Sequence, residues 1–544
     1  MIEALYKRRV VLLLLITLLA FVLRFYQLDI AGLSEDETHK TDAIEAYKQG
    51  DYTANAEHPM LMKVLGAVCI AANDQLGNPI ATESALRLPN VIFGSLTCII
   101  LYLFFSNLFN FRIGILTALM WAINIHTILI NRVAKEDTLM VFFLWLAYYL
   151  ARKAKQATGT ESFAKLGYWA SSGASFGLML ASKYFPHFFG LNFLYYHLLG
   201  PNKWNTKIKG KHVLLFFIMM GVVFLIANPA VLMPGIIKYM AQYSRTLTVT
   251  HHGYYMMGEL YQTDAAIPLS GLPIYFYLLA LLVKTPLPIL LAFILGLIVT
   301  FRRNNEEGYF FLRFMFLVWI IPYSIFGAKW LRYILACMPQ VCAIMAIGLS
   351  FGYEHLKTWC EGRYPQLSSK TKFVLTSLVS IVFLVIPTLI VINAAPFYSL
   401  YLNPLAGKDK VGYYFPHDEF YDLGLREAIN YVAKEAEPNS IIASEAPGVI
   451  NYYCKAFGRL DIKSETMSDP KFQFSDTQTT YVMFQDGRRY FENEKLLSFI
   501  ETNYAPIKEI KALGAVAVKI YKINNLNVTD LNQNLTENPS FNKQ

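Results

Sequence analysis

Residues 10–47 read VVLLLLITLLAFVLRFYQLDIAGLSEDETHKTDAIEAY, an apolar run followed directly by an acidic segment with helical character. A helix crossing the hydrocarbon of a bilayer needs about 20 mostly apolar residues, and the run over 10–28 meets that length. Lys7, Arg8 and Arg9 precede it and no small-residue cleavage site follows, so we read it as a retained first helix and signal anchor. Similar runs recur around 88–108, 113–131, 137–151, 168–182, 184–199, 212–232, 272–300, 309–327, 331–351 and 373–395. The chain is thus expected to be an α-helical polytopic membrane protein of about 11 transmembrane helices. Its composition agrees, with 55% hydrophobic, 15% aromatic and only 16% charged residues, which makes lipid the main solvent of most of the chain.

An inside N-terminus makes 109–112, 152–167, 200–211, 301–308 and 352–372 cytoplasmic. These segments hold Arg112, Arg152, Lys153, Lys155, Lys203, Lys207, Arg302, Arg303, Lys357 and Arg363 among their basic residues, as the positive-inside rule requires. The net charge of +9 is explained by orientation in the membrane, and no nucleic-acid partner is expected. Two longer loops, 29–87 and 233–271, then face out, and the first is rich in acids. Residues 1–398 form the transmembrane domain. From 399 to 523 a helical pattern (DEFYDLGLREAINYVAKEA) and strand-like runs (SIIASEA, TTYVMF, AVAVKIYKI) predict a small external α/β domain. Residues 524–544, with NVT at 527 and NLT at 534, read as a disordered polar tail. The six cysteines form no disulfide framework and no CxxC knuckle.

The chemistry-bearing residues gather on the outer side. In SEDETH, Ser34 and Glu37 have capping-box spacing, while Asp36, Glu37 and His39 stand at the exit of a membrane helix, where an acid beside a cleft can act as a base. AEHPMLMK adds His58 and Lys63, NRVAKEDT adds Arg132, Lys135, Glu136 and Asp137, and ASKYFP adds Lys183. GAKWLRYI brings Lys329 and Arg332, and TVTHHGYY brings His251 and His252. Adjacent histidines do not share a helix face, so their spacing does not suggest a metal pair. Bland readings exist for each string: a capped surface helix, a snorkelling lysine, an Arg–Asp ion pair at a tight turn, tyrosines anchored at the interface. Together, however, cations and a carboxylate on one face suit a phosphate leaving group and a nucleophile that must lose a proton. No glycine-rich nucleotide loop is present, which points to a lipid-linked donor.

Asp36-Glu37-Thr38-His39, the Glu57–Lys63 segment, SALRLPNVIFGSL with Arg87, NRVAKEDT and the Lys183 segment occur in an order that resembles the dolichyl-phosphate-mannose-protein mannosyltransferase family and its bacterial relatives. These are membrane glycosyltransferases of the GT-C class, and the likeness runs from residue 10 to about 350. Here the acid directly precedes His58, and Met60 stands where the family has a second proline. The family's luminal β-trefoil insert is missing.

The resemblance implies an inverting glycosyltransferase that moves a sugar, mannose-type first, from a polyprenyl- or dolichyl-phosphate donor to a protein, lipid or glycan acceptor, as in protein glycosylation. Asp36 would be the catalytic base, with Glu37 binding the acceptor or sharing that task. His39, His58, Lys63, Arg132, Asp137, Lys183, His251, His252 and Arg332 would bind substrates. No metal ligand is assigned and no cofactor is required, although a divalent metal is compatible with the site. The expected location is the plasma or inner membrane, or the endoplasmic reticulum in a eukaryote, with the active site and C-terminal domain non-cytoplasmic. The rival reading, a polytopic transporter or flippase, predicts charges strung along a path through both leaflets.

Overall fold

The computed structural model describes residues 2–157, 163–184, 210–246, 250–264, 268–303, 306–363, 365–366, 368–407, 409–475 and 477–524. A helical bundle occupies the chain to about residue 394, and a five-stranded sheet with flanking helices follows. Among the described residues, five helices are long and apolar enough to cross a membrane, or six if one bent pair counts as a single span. That is fewer than the eleven apolar runs: some are broken, and the continuous helices Ile2–Phe25, Glu136–Gln156 and Phe163–Ser182 are not among the five. The expected run 184–199 lies outside the described residues beyond Tyr184, as do the tail with its two sequons and part of the expected loop 200–211.

The breaks have identifiable causes. The run expected at 113–131 is two helices, Phe111–Ala122 and Ile125–Asn131, bent by 57°. Asn124 caps the second, its Oδ1 accepting from the His126 N–H at 3.0 Å, which competes with a continuous ladder. The carbonyls of Trp121 and Ala122, left without partners by the break, accept from the Arg24 guanidinium at 3.2 Å each. Arg24 sits near the end of α1 (Ile2–Phe25), so a buried cation ties the first helix to the bend.

The run at 272–300 is likewise two helices, Phe276–Lys284 and Leu287–Arg302, parted at Thr285-Pro286, since proline has no N–H to continue the ladder. Asn403 satisfies the freed carbonyls of Leu282 and Thr285 at 2.6 and 2.8 Å. Residues 331–337 form a 3₁₀ turn ahead of the long helix Met338–Arg363. At 373–395, a π turn over Ile381–Val385 just before Pro387 divides two helices.

The helices Leu287–Arg302 and Met338–Arg363 cross at small residues. A Cβ on Gly296 would run into the Ile344 carbonyl, and one on Gly348 into that of Ala292. Backbones that approach this closely leave no room for larger side chains. Gly348→Leu is therefore expected to destabilise the bundle by about 1–3 kcal/mol or more, read as a lower midpoint of thermal unfolding in detergent.

In the second long loop, Pro234–Thr246 is helical and a hairpin pairs β1 (Thr250–Met256) with β2 (Glu259–Asp264). The C-terminal sheet has β3 (Ile441–Ala443) at its centre-left, parallel to both β4 (Lys463–Glu465) and β5 (Thr480–Phe484). Strand β7 (Ala515–Ile523) runs antiparallel between β5 and β6 (Lys508–Ala512). The three strand-like runs foreseen are β3, β5 and β7. The two short edge strands gave no alternating signal.

Candidate active site

The site is built on α2 (Glu35–Lys48), which starts where Ser34 leaves extended backbone and its N–H donates to Glu37 Oε2 at 3.0 Å. Three acids fill the first turn, where the positive end of the helix dipole favours them. Successive residues turn by about 100°, so the three face different surroundings. Glu35 accepts from Arg488 of the C-terminal unit at 2.6 Å. Asp36 is partly exposed and meets two cations that line a cleft. Glu37 is buried at the wall of that cleft.

Glu37 is wholly buried. Arg87 grips both its oxygens at 2.7 Å, and the Ala134 N–H donates to Oε1 at 2.8 Å. Burial alone would raise its pKa, but Arg87 and these N–H groups hold it below the usual range. A carboxylate saturated in this way has no oxygen left for a substrate proton. The expected catalytic partnership with Asp36 is corrected: Glu37 fixes α2 and the Ala134 turn to the bundle.

Asp36 is different. Its Oδ2 accepts from Lys135, from Arg332 at 3.1 Å and from the Tyr421 hydroxyl at 2.6 Å, and its side chain keeps 29% exposure. Burial opposes its charge, yet Lys135 and Arg332 hold the pKa well below the carboxylate range. One turn along α2, Lys40 pairs with Glu136 at 2.9 Å in the dry interior. His58 Nδ1 lies 3.9 Å from the same carboxylate. Lys135, Arg332 and Tyr421 also line a cleft, whose walls add Ser34, Glu37, Arg87 and Arg132 to apolar residues such as Leu28, Leu129, Phe397 and Phe420. Asp418 lines it too, with burial pushing its pKa up to about 6.

His58 stays with the cluster but not as a cation. Burial, with Lys40 and Lys135 nearby, pushes its pKa down to about 4 despite the opposing pull of Glu136. The imidazole is therefore expected neutral from pH 8 to below 5, and a nitrogen-15 NMR titration of His58 should show no midpoint near 6.5. Lys63 donates to the carbonyls of Asn55 and His58 at 2.7 and 2.9 Å. Expected from the sequence to bind substrate, it is buried and holds the loop that presents His58. Lys63→Met should loosen that loop, seen as faster amide hydrogen exchange over 54–58 with α2 still protected.

Arg132 lines the same cleft and is tied to backbone. Its guanidinium donates to the carbonyls of Arg24, Tyr26 and Gln27 at 2.8–2.9 Å, satisfying groups that α1 leaves unpaired at its C-terminal end. Lys183 pairs with Asp137 at 2.7 Å and lies over the Tyr333 ring, a second ion pair beside the 3₁₀ turn that carries Arg332. His39 is exposed on α2. His251 and His252 lie in β1, and their side chains fall outside the described residues. Lys329 holds the Leu272 and Phe326 carbonyls. Among the described residues, no group of three or more His, Cys, Asp or Glu side chains could hold a metal ion.

Sequence reasoning passed over Lys40 and Tyr421, and it named Lys135 and Glu136 without assigning them a role. Lys40 follows Asp36 by one turn, a spacing that could have flagged it. Lys135 and Glu136 stood in a string already singled out, but nothing in that string ranked them above Arg132. Tyr421 is 385 residues from Asp36 and left no signal.

Residues 68–233 match the family model described as dolichyl-phosphate-mannose-protein mannosyltransferase. No curated protein matches the chain. Among solved structures, ArnT from Cupriavidus metallidurans in the apo state aligns with a TM-score of 0.54 at 12% identity, over 95% of this chain and 98% of that one. The same protein bound to undecaprenyl phosphate gives 0.50 at 12% identity over the same shares. The oligosaccharyltransferase of Archaeoglobus fulgidus, tethered to an acceptor peptide containing an NVT sequon, gives 0.55 at 11% identity over 94% of this chain and 74% of that one. At such identities the likeness is one of fold. The resemblance drawn from the sequence is borne out.

Proposed function

We propose that this integral membrane protein is an inverting glycosyltransferase that uses a polyprenyl-phosphate sugar and takes the acceptor proton on Asp36. The observation that carries the reading is Asp36 held between Lys135 and Arg332, two cations that line a largely apolar cleft. The acceptor oxygen attacks the anomeric carbon as its proton passes to Asp36. The bond from that carbon to the phosphate oxygen breaks, and the electron pair leaves with the lipid phosphate. Lys135 and Arg332 stabilise the charge that grows there, which is worth most in a site shielded from water. One displacement at one face inverts the anomeric centre.

The apolar cleft wall suits a lipid chain, and the fold is shared with a protein solved with undecaprenyl phosphate bound. The match over 68–233 favours a mannose-type sugar. The acceptor is a protein hydroxyl or a lipid or glycan group. The basic loops put α2 and the C-terminal sheet on the non-cytoplasmic side of a plasma or inner membrane, or of the endoplasmic reticulum. Two cations beside the leaving group make a divalent ion unnecessary in this mechanism. A transporter would need its buried charges distributed along a path, whereas Asp36, Lys40, Lys135, Glu136 and Arg332 form one cluster.

The test is reconstitution with a panel of polyprenyl-phosphate sugars and measurement of lipid-phosphate release. Release from one donor by the wild type is expected. Solute flux with no release from any donor would sink the proposal.

A further inference from the structure

Every partner that the structure gives the Asp36 side chain is on Oδ2: two cations, Lys135 and Arg332, and one neutral donor, the Tyr421 hydroxyl. Oδ1 is left as the oxygen able to meet an acceptor. Tyr421 does not come from the bundle. It follows the short helix Pro416–Phe420 and leads into the C-terminal sheet unit.

Its backbone is left-handed, with φ 41°, and so is that of Asp422, with φ 65°. Side chains bearing a Cβ disfavour that region, and two such residues in succession persist only where their surroundings hold them. Here the hold is specific. Arg488 grips Asp422 at 2.7 Å on each oxygen and reaches Glu35 at 2.6 Å, while the Glu35 N–H donates to Asp422 at 2.9 Å. The turn that aims the phenol at Asp36 is thereby bolted to the first residue of the helix that carries Asp36.

We propose that Tyr421 is a positioning residue for the transfer step: its hydroxyl keeps Oδ2 occupied and Oδ1 turned to the acceptor, so the C-terminal unit completes the active site. The proposal rests on the reading of Asp36 as the base. A donor phosphate competes with Asp36 for Lys135 and Arg332, and the neutral phenol is the partner which that competition for charge leaves in place. A hydrogen bond to a charged carboxylate also lowers its pKa.

A mere docking role is separable, because Tyr453 bridges the same two parts without touching Asp36. It accepts from the Leu33 N–H at 2.7 Å and donates to Glu83 at 2.9 Å.

The experiment compares full-length wild type, Tyr421→Phe, Tyr453→Phe and Asp36→Asn in liposomes with the donor that the wild type turns over. One lost hydrogen bond to a charged group is expected to lower kcat of Tyr421→Phe about tenfold, with donor KM within about twofold and the acid limb of kcat moved to higher pH. Tyr453→Phe should keep the wild-type limb. Difluorotyrosine at 421, a more acidic phenol on the same frame, should move the limb the opposite way, which excludes misfolding as the cause. A wild-type kcat and limb in Tyr421→Phe, or equal shifts in both tyrosine variants, overturns the proposal. If Asp36→Asn is inactive while Tyr421→Phe behaves as wild type, the positioning role alone fails. If Asp36→Asn stays active, the base assignment fails and the proposal falls with it.

Discussion

Asp36→Asn is expected to lower turnover by about 10²–10⁴-fold, the usual contribution of a placed general base, without raising the donor KM. Asparagine keeps the volume and can still accept from Tyr421, so the fold has little to adjust. It cannot take the acceptor proton. The change also removes the anion that occupies Lys135 and Arg332 in the resting site, which frees both for the donor phosphate. Donor KM should thus hold steady or fall while kcat drops, the pattern of a group that acts in the transition state. The check is steady-state kinetics at saturating acceptor, with lipid-phosphate release as the readout. A rise in donor KM with unchanged kcat would make Asp36 a binding residue and refute the assignment.

The largest effect on stability is expected from Arg87→Ala. Glu37 would remain in the dry interior with its N–H donors but without the guanidinium that grips both oxygens. Breaking a buried pair in this way costs about 3–5 kcal/mol. The pH dependence gives the mechanism its sign. In the wild type the Glu37 pKa is depressed, so its contribution is full above the unfolded value of about 4.3 and is lost as pH falls through the folded pKa. Without Arg87, burial becomes the dominant influence and raises the pKa above the unfolded value. Stability is then lost as pH rises through that higher pKa. The gap in unfolding midpoint between variant and wild type should therefore be wide at pH 8 and narrow towards pH 5. A gap independent of pH would mean that Arg87 acts through packing alone.

Much of this protein was legible before any coordinates. Apolar runs of bilayer length mark the helices, because lipid offers no partner to backbone polar groups and only a continuous apolar helix meets that condition cheaply. Where a run expected as one helix is broken, as at 113–131 and 272–300, the break is a local event, an Asn124 cap or Pro286. The orphaned carbonyls find Arg24 or Asn403, which are remote in sequence. The acidic start of α2 was equally visible, since three acids behind a helix-capping serine form a local signal.

By itself, the sequence determined that the chain is a helical membrane protein, that a charged cluster follows its first helix, and that Asp36 belongs to that cluster. Only the tertiary structure decided which charges are free to do chemistry. A buried charge must find a partner, and residue type says that a partner exists without saying which. Arg132 and Lys63 are anchored by backbone carbonyls, and Glu37 is gripped by Arg87. Asp36 shares its cations with an open cleft, and its third partner, Tyr421, arrives from the far end of the chain. Long-range proximity is set by how helices and sheet pack, and that packing sorted structural charges from the proposed catalytic one.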